Sequence, residues 1–132
     1  MSNLQNLFAL LGRILLALIF LQSGYGKIMN FDPTAAGMVK AGLPMVSVLL
    51  PITIFVELAG AVSLILGFKA RWGAFGLLVF TLLAAYFFHN FWTMADPQAR
   101  MQMIHFMKNM AISGGMLMVM AFGAGRYSID KR

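Results

Sequence analysis

Four long runs of apolar residues, separated by short polar connections, dominate the pattern of this chain. The runs extend over about Leu4–Gly26, Pro44–Gly67, Trp72–Trp92 and Ile104–Phe122, and the helix of the last run is expected to begin at Pro97. Each run has about 19 or more residues, enough to cross about 30 Å of hydrocarbon as a helix. The pattern therefore predicts an all-α membrane protein, a bundle of four transmembrane helices.

The connections carry signals for where helices begin and end. Asp32-Pro33 suits the start of a helix, and Gly42 and Pro44 suit its end, so we predict a short helix over residues 33–41. This helix is expected to lie at the outer membrane interface. The connection over residues 68–71 is so short that the second and third spans must form an antiparallel pair.

Composition narrows the class of protein further. The 132 residues, taken as a single membrane domain over 1–132, are 61% hydrophobic and only 11% charged. A soluble domain is typically about 45–50% apolar and about 25% charged, so a soluble enzyme and a disordered chain are both excluded. The lipid bilayer is the expected partner. The formal net charge of +6 is then attributed to basic residues that flank the spans and set their orientation, and we predict no nucleic-acid partner.

The distribution of basic residues predicts the orientation in the membrane. One side carries Lys69, Arg71, Arg126, Lys131 and Arg132, and the other carries Lys27, Lys40 and Arg100. Since cytoplasmic loops are enriched in Lys and Arg, the side with five should face the cytoplasm. Both termini are therefore expected to be cytoplasmic.

Two ionisable residues of opposite charge lie deep within the predicted spans. Counted from the inner ends of their runs, Arg13 lies at about 13 Å and Glu57 at about 15 Å. A buried charge in a membrane needs a partner, so we predict a buried Arg13–Glu57 ion pair near the middle of the membrane. A purely structural clasp between the first two spans is an equal alternative to a functional role.

A second polar layer is predicted nearer the outer surface. It would contain Gln22, His89, Lys108 and Asn109, at roughly 21–27 Å by the same counting, with Lys27 close by. Donors from several helices at one depth could hold the carbonyl or hydroxyl of a quinone-like ligand. The alternative is that His89 is an ordinary interfacial residue and that the side chain of Lys108 extends to the surface.

Metal ligation is not predicted. The chain has no Cys, which removes thiolate sites and disulfides together. Seven of the twelve Met residues lie in 101–120, and thioethers with imidazole can bind Cu(I). On a helix, however, Met103 and Met107 share a face while Met101 points elsewhere, and Met is an ordinary filler of apolar cores.

A set of short motifs runs in order along nearly the whole chain. They are Gly12-Arg13, Ser23-Gly24-Tyr25-Gly26-Lys27, Gly42-Leu43-Pro44, Glu57-Leu58-Ala59-Gly60, Phe88-His89, Phe106-Met107-Lys108-Asn109 with Gly114-Gly115, and Gly125-Arg126-Tyr127-Ser128-Ile129-Asp130. By this set the chain resembles the DoxX family of small four-span membrane proteins. It looks most like the bacterial inner-membrane branch described as oxidoreductases or quinol oxidase subunits.

The resemblance implies a function but transfers no catalytic residue. It implies an inner-membrane, quinone- or lipophile-binding subunit of an oxidoreductase system, working with a redox partner. No self-sufficient redox centre is visible in the sequence, so the question of whether the chain is itself an enzyme stays open. The alternative is a non-enzymatic scaffold or chaperone-like subunit for another membrane protein, and a homo-oligomer is compatible with either reading.

Overall fold

The computed structural model describes residues 2–132, and their regular secondary structure is all helical. The helices are α1 (Asn3–Met29), α2 (Phe31–Lys40), α3 (Val46–Leu66), α4 (Ala70–Phe88) and α5 (Gln98–Phe122), with a 3₁₀ turn at Phe91–Thr93. Three segments are long and apolar enough to cross a membrane, namely α1, α3 and α4 with its extension to Thr93. The predicted all-α membrane class is confirmed.

The short helix predicted over 33–41 is α2, and it begins two residues earlier than expected. Asn30 separates it from α1 and its Nδ2 donates to the Gly26 carbonyl, so the turn itself sets the start and Asp32 lies in the first turn. The helix ends before Gly42, whose φ of +87° suits glycine. The location of α2 at a membrane interface stays a prediction.

The four long helices pack side by side in the order α1, α3, α4, α5. The main core is a cluster of buried apolar side chains from all four helices, including Ala17, Ala61, Leu77 and Met116. Helix α2 packs on α3 through a second cluster around Met38, and it also contacts α1. The backbones of α2 and α4 do not come into contact, which leaves a gap between these two helices.

The C-terminal segment, residues 123–132, folds back onto the α3–α4 turn. The backbone N–H groups of Ile129 and Asp130 donate to the carbonyls of Leu66 and Gly67, at 3.0 and 2.8 Å. The Asp130 carboxylate in turn accepts from the backbone N–H groups of Lys69 (3.0 Å) and Ala70 (3.1 Å), and so caps the N-terminus of α4. These two hydrogen bonds, the one from Lys69 first, hold the pKa of Asp130 below its ordinary value.

Candidate functional site

A buried ion pair joins α1 to α3. The side chain of Glu57 is fully buried, and the Lys27 ammonium lies 2.7 Å from its Oε1. The Lys27 Nζ also donates to Ser23 Oγ at 2.7 Å and lies 5.3 Å from the centre of the Phe80 ring. Among residues 2–132 neither carboxylate oxygen has a partner with full hydrogen-bond geometry, so the close ammonium is the main compensation for the buried charge.

Gly24 brings the two members of the pair together. A Cβ atom at this position would lie 2.7 Å from Leu58 Cδ2, so a larger residue would displace the Leu58 side chain or push α1 away from α3. Lys27 follows three residues later and therefore lies on the same face of α1. The close approach places its ammonium against Glu57.

Arg13, which the sequence analysis predicts to form an ion pair with Glu57, has other partners. Its guanidinium donates to the carbonyls of Leu64 (2.6 Å) and Ile65 (3.2 Å) in the last turn of α3, and to the carbonyl of Tyr127 (2.6 Å). A cation at the carbonyl end of a helix is favourable, because the helix dipole is negative there. The structure therefore does not form the expected Arg13–Glu57 pair, and Arg13 fastens the end of α3 to the C-terminal segment.

The correction has a simple geometric cause. The prediction takes the first apolar residues of the chain to be level with the end of α3 and measures the depth of Arg13 from them. In the structure Gly24 lies against Glu57 and Leu58, while Arg13 reaches Leu64 and Ile65. The first turns of the 27-residue α1 thus extend beyond the end of α3, and Arg13 lies much nearer that end than Glu57 does.

A cavity of about 380 Å³ lies beside the ion pair, between α1, α2, α3 and α4. Its polar lining residues are Lys27, Thr34 and Thr53, and the rest of the lining is apolar or glycine. The other lining residues are Gly37, Met38, Leu43, Leu49, Phe80, Leu83, Ala84, Phe87 and Phe88. A concave apolar site with a few convergent polar groups is typical of a site for a small lipophilic ligand.

The predicted outer polar layer is not assembled as one site. Gln22 and Lys108 are exposed, and Lys108 lines a shallow groove on the outer side of α5. Asn109 donates to the Thr81 carbonyl at 3.4 Å, and His89 Nδ1 lies 2.7 Å from Gln102 Oε1. Of the five candidate ligand-binding residues, Lys27 alone lines the cavity.

Several of the side-chain contacts in this structure are not predicted by the sequence analysis. His105 lies with its ring centre 5.1 Å from that of His89, and Gln102 bonds the same imidazole. The pairing of Lys27 with Glu57 has a signal in the sequence, because Gly24 allows a close helix contact and Lys27, three residues later, lies on the same face of α1. The capping role of Asp130 has none, because a cap supplied from 60 residues away leaves no local pattern.

Comparisons with known proteins find relatives in the inner membrane of bacteria. The sequence profile of the DoxX family matches residues 8–90. The chain is similar to inner membrane protein YqjF of Escherichia coli, with 35% identity over 131 residues that cover 99% of this chain and 95% of the relative. It is also similar to inner membrane protein YphA of the same organism, with 35% identity over 93% of this chain and 88% of the relative. No solved structure matches the chain.

Proposed function

Because the chain belongs to the DoxX family, we propose that it is an inner-membrane protein that binds a quinone or a similar lipophilic molecule in the cavity beside Lys27. The observation that carries this proposal is the cavity itself, with apolar walls and one ammonium group among its lining residues. Its volume of about 380 Å³ falls in the range of small-molecule sites, about 300–1,000 Å³.

The charge of the site favours a neutral ligand with a hydrogen-bond acceptor. Lys27 is compensated by Glu57 at 2.7 Å, so the pair presents no net charge to the cavity. The side chain of Lys27 is 21% exposed, while that of Glu57 is fully buried, so the ammonium is the accessible member. An ammonium in apolar surroundings can donate to a carbonyl oxygen, and the aromatic walls suit the ring of a quinone.

The role that fits this site is that of a subunit or docking protein for an electron-transfer partner. The chain has no Cys and so offers no thiolate ligand for an iron–sulfur cluster. We propose that the partner carries the redox centre and that this chain binds the lipophile. In native mass spectrometry of gently extracted protein, a bound quinone supports this role, and a stoichiometric protein partner without bound lipophile supports the scaffold alternative.

The proposed donor can be tested without leaving a charge unpaired. The double variant Lys27→Met/Glu57→Leu removes both charges and leaves the apolar walls in place. We expect it to bind a short-chain quinone analogue more weakly by about 1.5–3 kcal/mol, roughly 10- to 150-fold, because a hydrogen bond to a charged group is lost. The measurement is ligand-induced thermal stabilisation in detergent.

A matched ligand supplies the control for this experiment. A hydrocarbon of the same shape without the carbonyl oxygens should bind wild type and double variant equally. Equal binding of the quinone analogue to both proteins would show that Lys27 does not donate a hydrogen bond to the ligand. If no quinone stabilises the wild-type protein, its ligand is not a quinone.

We further propose that α5 is a fourth span and that both termini are cytoplasmic. Helix α5 has 25 residues, packs along α4, and exposes apolar side chains such as Leu117, Met118 and Phe122. At 1.5 Å per residue it is about 37 Å long, enough to cross the bilayer. Since Lys27 is engaged with Glu57, the basic residues left at the α2 end are Lys40 and Arg100, against five at the other end.

Single introduced cysteines test this topology, because the chain has no native Cys. Ala36→Cys and Gln98→Cys should react with a membrane-impermeant thiol reagent from the periplasmic side. Ser128→Cys should react only after the membrane is opened. The reverse pattern of labelling would overturn the orientation. Labelling of positions 98 and 128 from the same side would show that α5 does not cross.

A further inference from the structure

The turn between α3 and α4 gathers three basic side chains around a single acidic one. Lys69, Arg71 and Arg132 line a cavity of about 410 Å³ together with Trp72 and Asp130. Among residues 2–132 the ion pair within 4.0 Å is Lys27–Glu57, so none of these three cations is paired. The one acidic side chain of the cavity, that of Asp130, already accepts two backbone hydrogen bonds as the cap of α4.

This cavity must lie at a membrane surface. It is built on the turn that joins two of the three apolar spans, and a turn between two spans emerges from the hydrocarbon. Trp72 is 74% exposed at the start of α4, where its ring packs edge-on against Phe75. An exposed Trp at the end of a span is typical of the level of the lipid head groups.

Two separate segments hold the cations in place. Arg71 comes from the first turn of α4, and its side chain lies against Gly123 of the C-terminal segment. A Cβ atom added to Gly123 would be 3.1 Å from Arg71 Nη2. Arg132 comes from the C-terminal segment, where its carbonyl accepts from the backbone N–H of Ala124 at 2.8 Å. The fold-back of this segment onto the turn therefore assembles the site.

We propose that Lys69, Arg71 and Arg132, with Trp72 beside them, bind the phosphate group of an anionic phospholipid. Guanidinium groups match the oxygen geometry of phosphate and bind it in a bidentate manner. The exposed Trp72 ring packs along the acyl chains just below the head group. The lipid bridges α4 and the C-terminal segment, independently of the cavity beside Lys27.

Native mass spectrometry of the intact protein in detergent, with added phospholipid, tests the site. Phosphatidylglycerol should bind in preference to phosphatidylcholine of the same chain length. Since each cation near an anionic lipid contributes about fivefold in affinity, Arg71→Gln/Arg132→Gln should lower phosphatidylglycerol binding by roughly 25-fold. A thermal melt without lipid checks that the double variant is folded. If the double variant is not folded, Lys69→Gln alone takes its place and should lower phosphatidylglycerol binding about fivefold.

A control with the same change of charge separates a built site from general attraction. Arg126→Gln/Lys131→Gln removes two basic residues of the same end that do not line the cavity, and it should change binding by about twofold at most. Equal losses in the two double variants would overturn the site. Displacement of the lipid by millimolar inorganic phosphate, or equal stabilisation by phosphate alone, would show that the site takes free phosphate and overturn the assignment to a lipid.

Discussion

Lys27→Met is expected to destabilise the protein more than any other single change at the ion pair, by about 3–5 kcal/mol. The variant leaves the fully buried carboxylate of Glu57 without its one close cation, and an uncompensated buried charge is costly. Glu57→Gln should cost less, because the amide oxygen can still accept from the Lys27 ammonium, which also keeps its bond to Ser23. Both changes in stability are measured as the free energy of unfolding in mixed micelles, at increasing concentrations of a denaturing detergent.

The double variant and Arg13 complete this test. Lys27→Met/Glu57→Leu should be milder than Lys27→Met alone, since no unpaired charge remains. In a double-mutant cycle, Lys27 and Glu57 should couple strongly, and Arg13 and Glu57 should be additive within about 0.5 kcal/mol because they share no contact. Strong coupling of Arg13 to Glu57 would contradict this arrangement of the two charges.

Gly37→Trp is expected to close the proposed ligand site with little effect on stability. Gly37 lines the cavity and is also exposed, so it lies at the open edge of the cavity. A Cβ atom there would meet nothing within 4 Å, so a large side chain can enter the open space without a clash. We expect the affinity for a quinone analogue to fall roughly tenfold or more, because the ring fills the space that the ligand needs.

A graded series and a distant glycine make this prediction specific. Gly37→Ala should bind nearly as wild type, and Gly37→Leu should fall between the Ala and Trp variants. Gly114→Trp adds the same ring on the exposed side of α5, where a Cβ also meets nothing within 4 Å, and should leave binding unchanged. Thermal stability without ligand should change little in the whole series. Unaltered affinity in Gly37→Trp would show that the ligand does not use this cavity.

The helices could be predicted from the sequence because their signals are local. Apolar runs of sufficient length predicted α1, α3 and α4, and the turn residues around Gly42 predicted the end of α2. The need of Glu57 for a cation was equally evident, since a carboxylate buried in apolar surroundings must be compensated. In each case the physical requirement acts on a single segment or a single residue.

The choice of partner was decided only by the tertiary structure. Lys27 pairs with Glu57 because Gly24 lets α1 approach α3 at Leu58, and this contact fixes the offset between two helices of unequal length. The same offset takes Arg13 to the carbonyls of Leu64 and Ile65. The chain by itself thus determined which segments are helical and which charges need partners. The offset between helices, and with it the identity of each partner, depends on side-chain packing between segments distant in sequence, for which no local pattern exists.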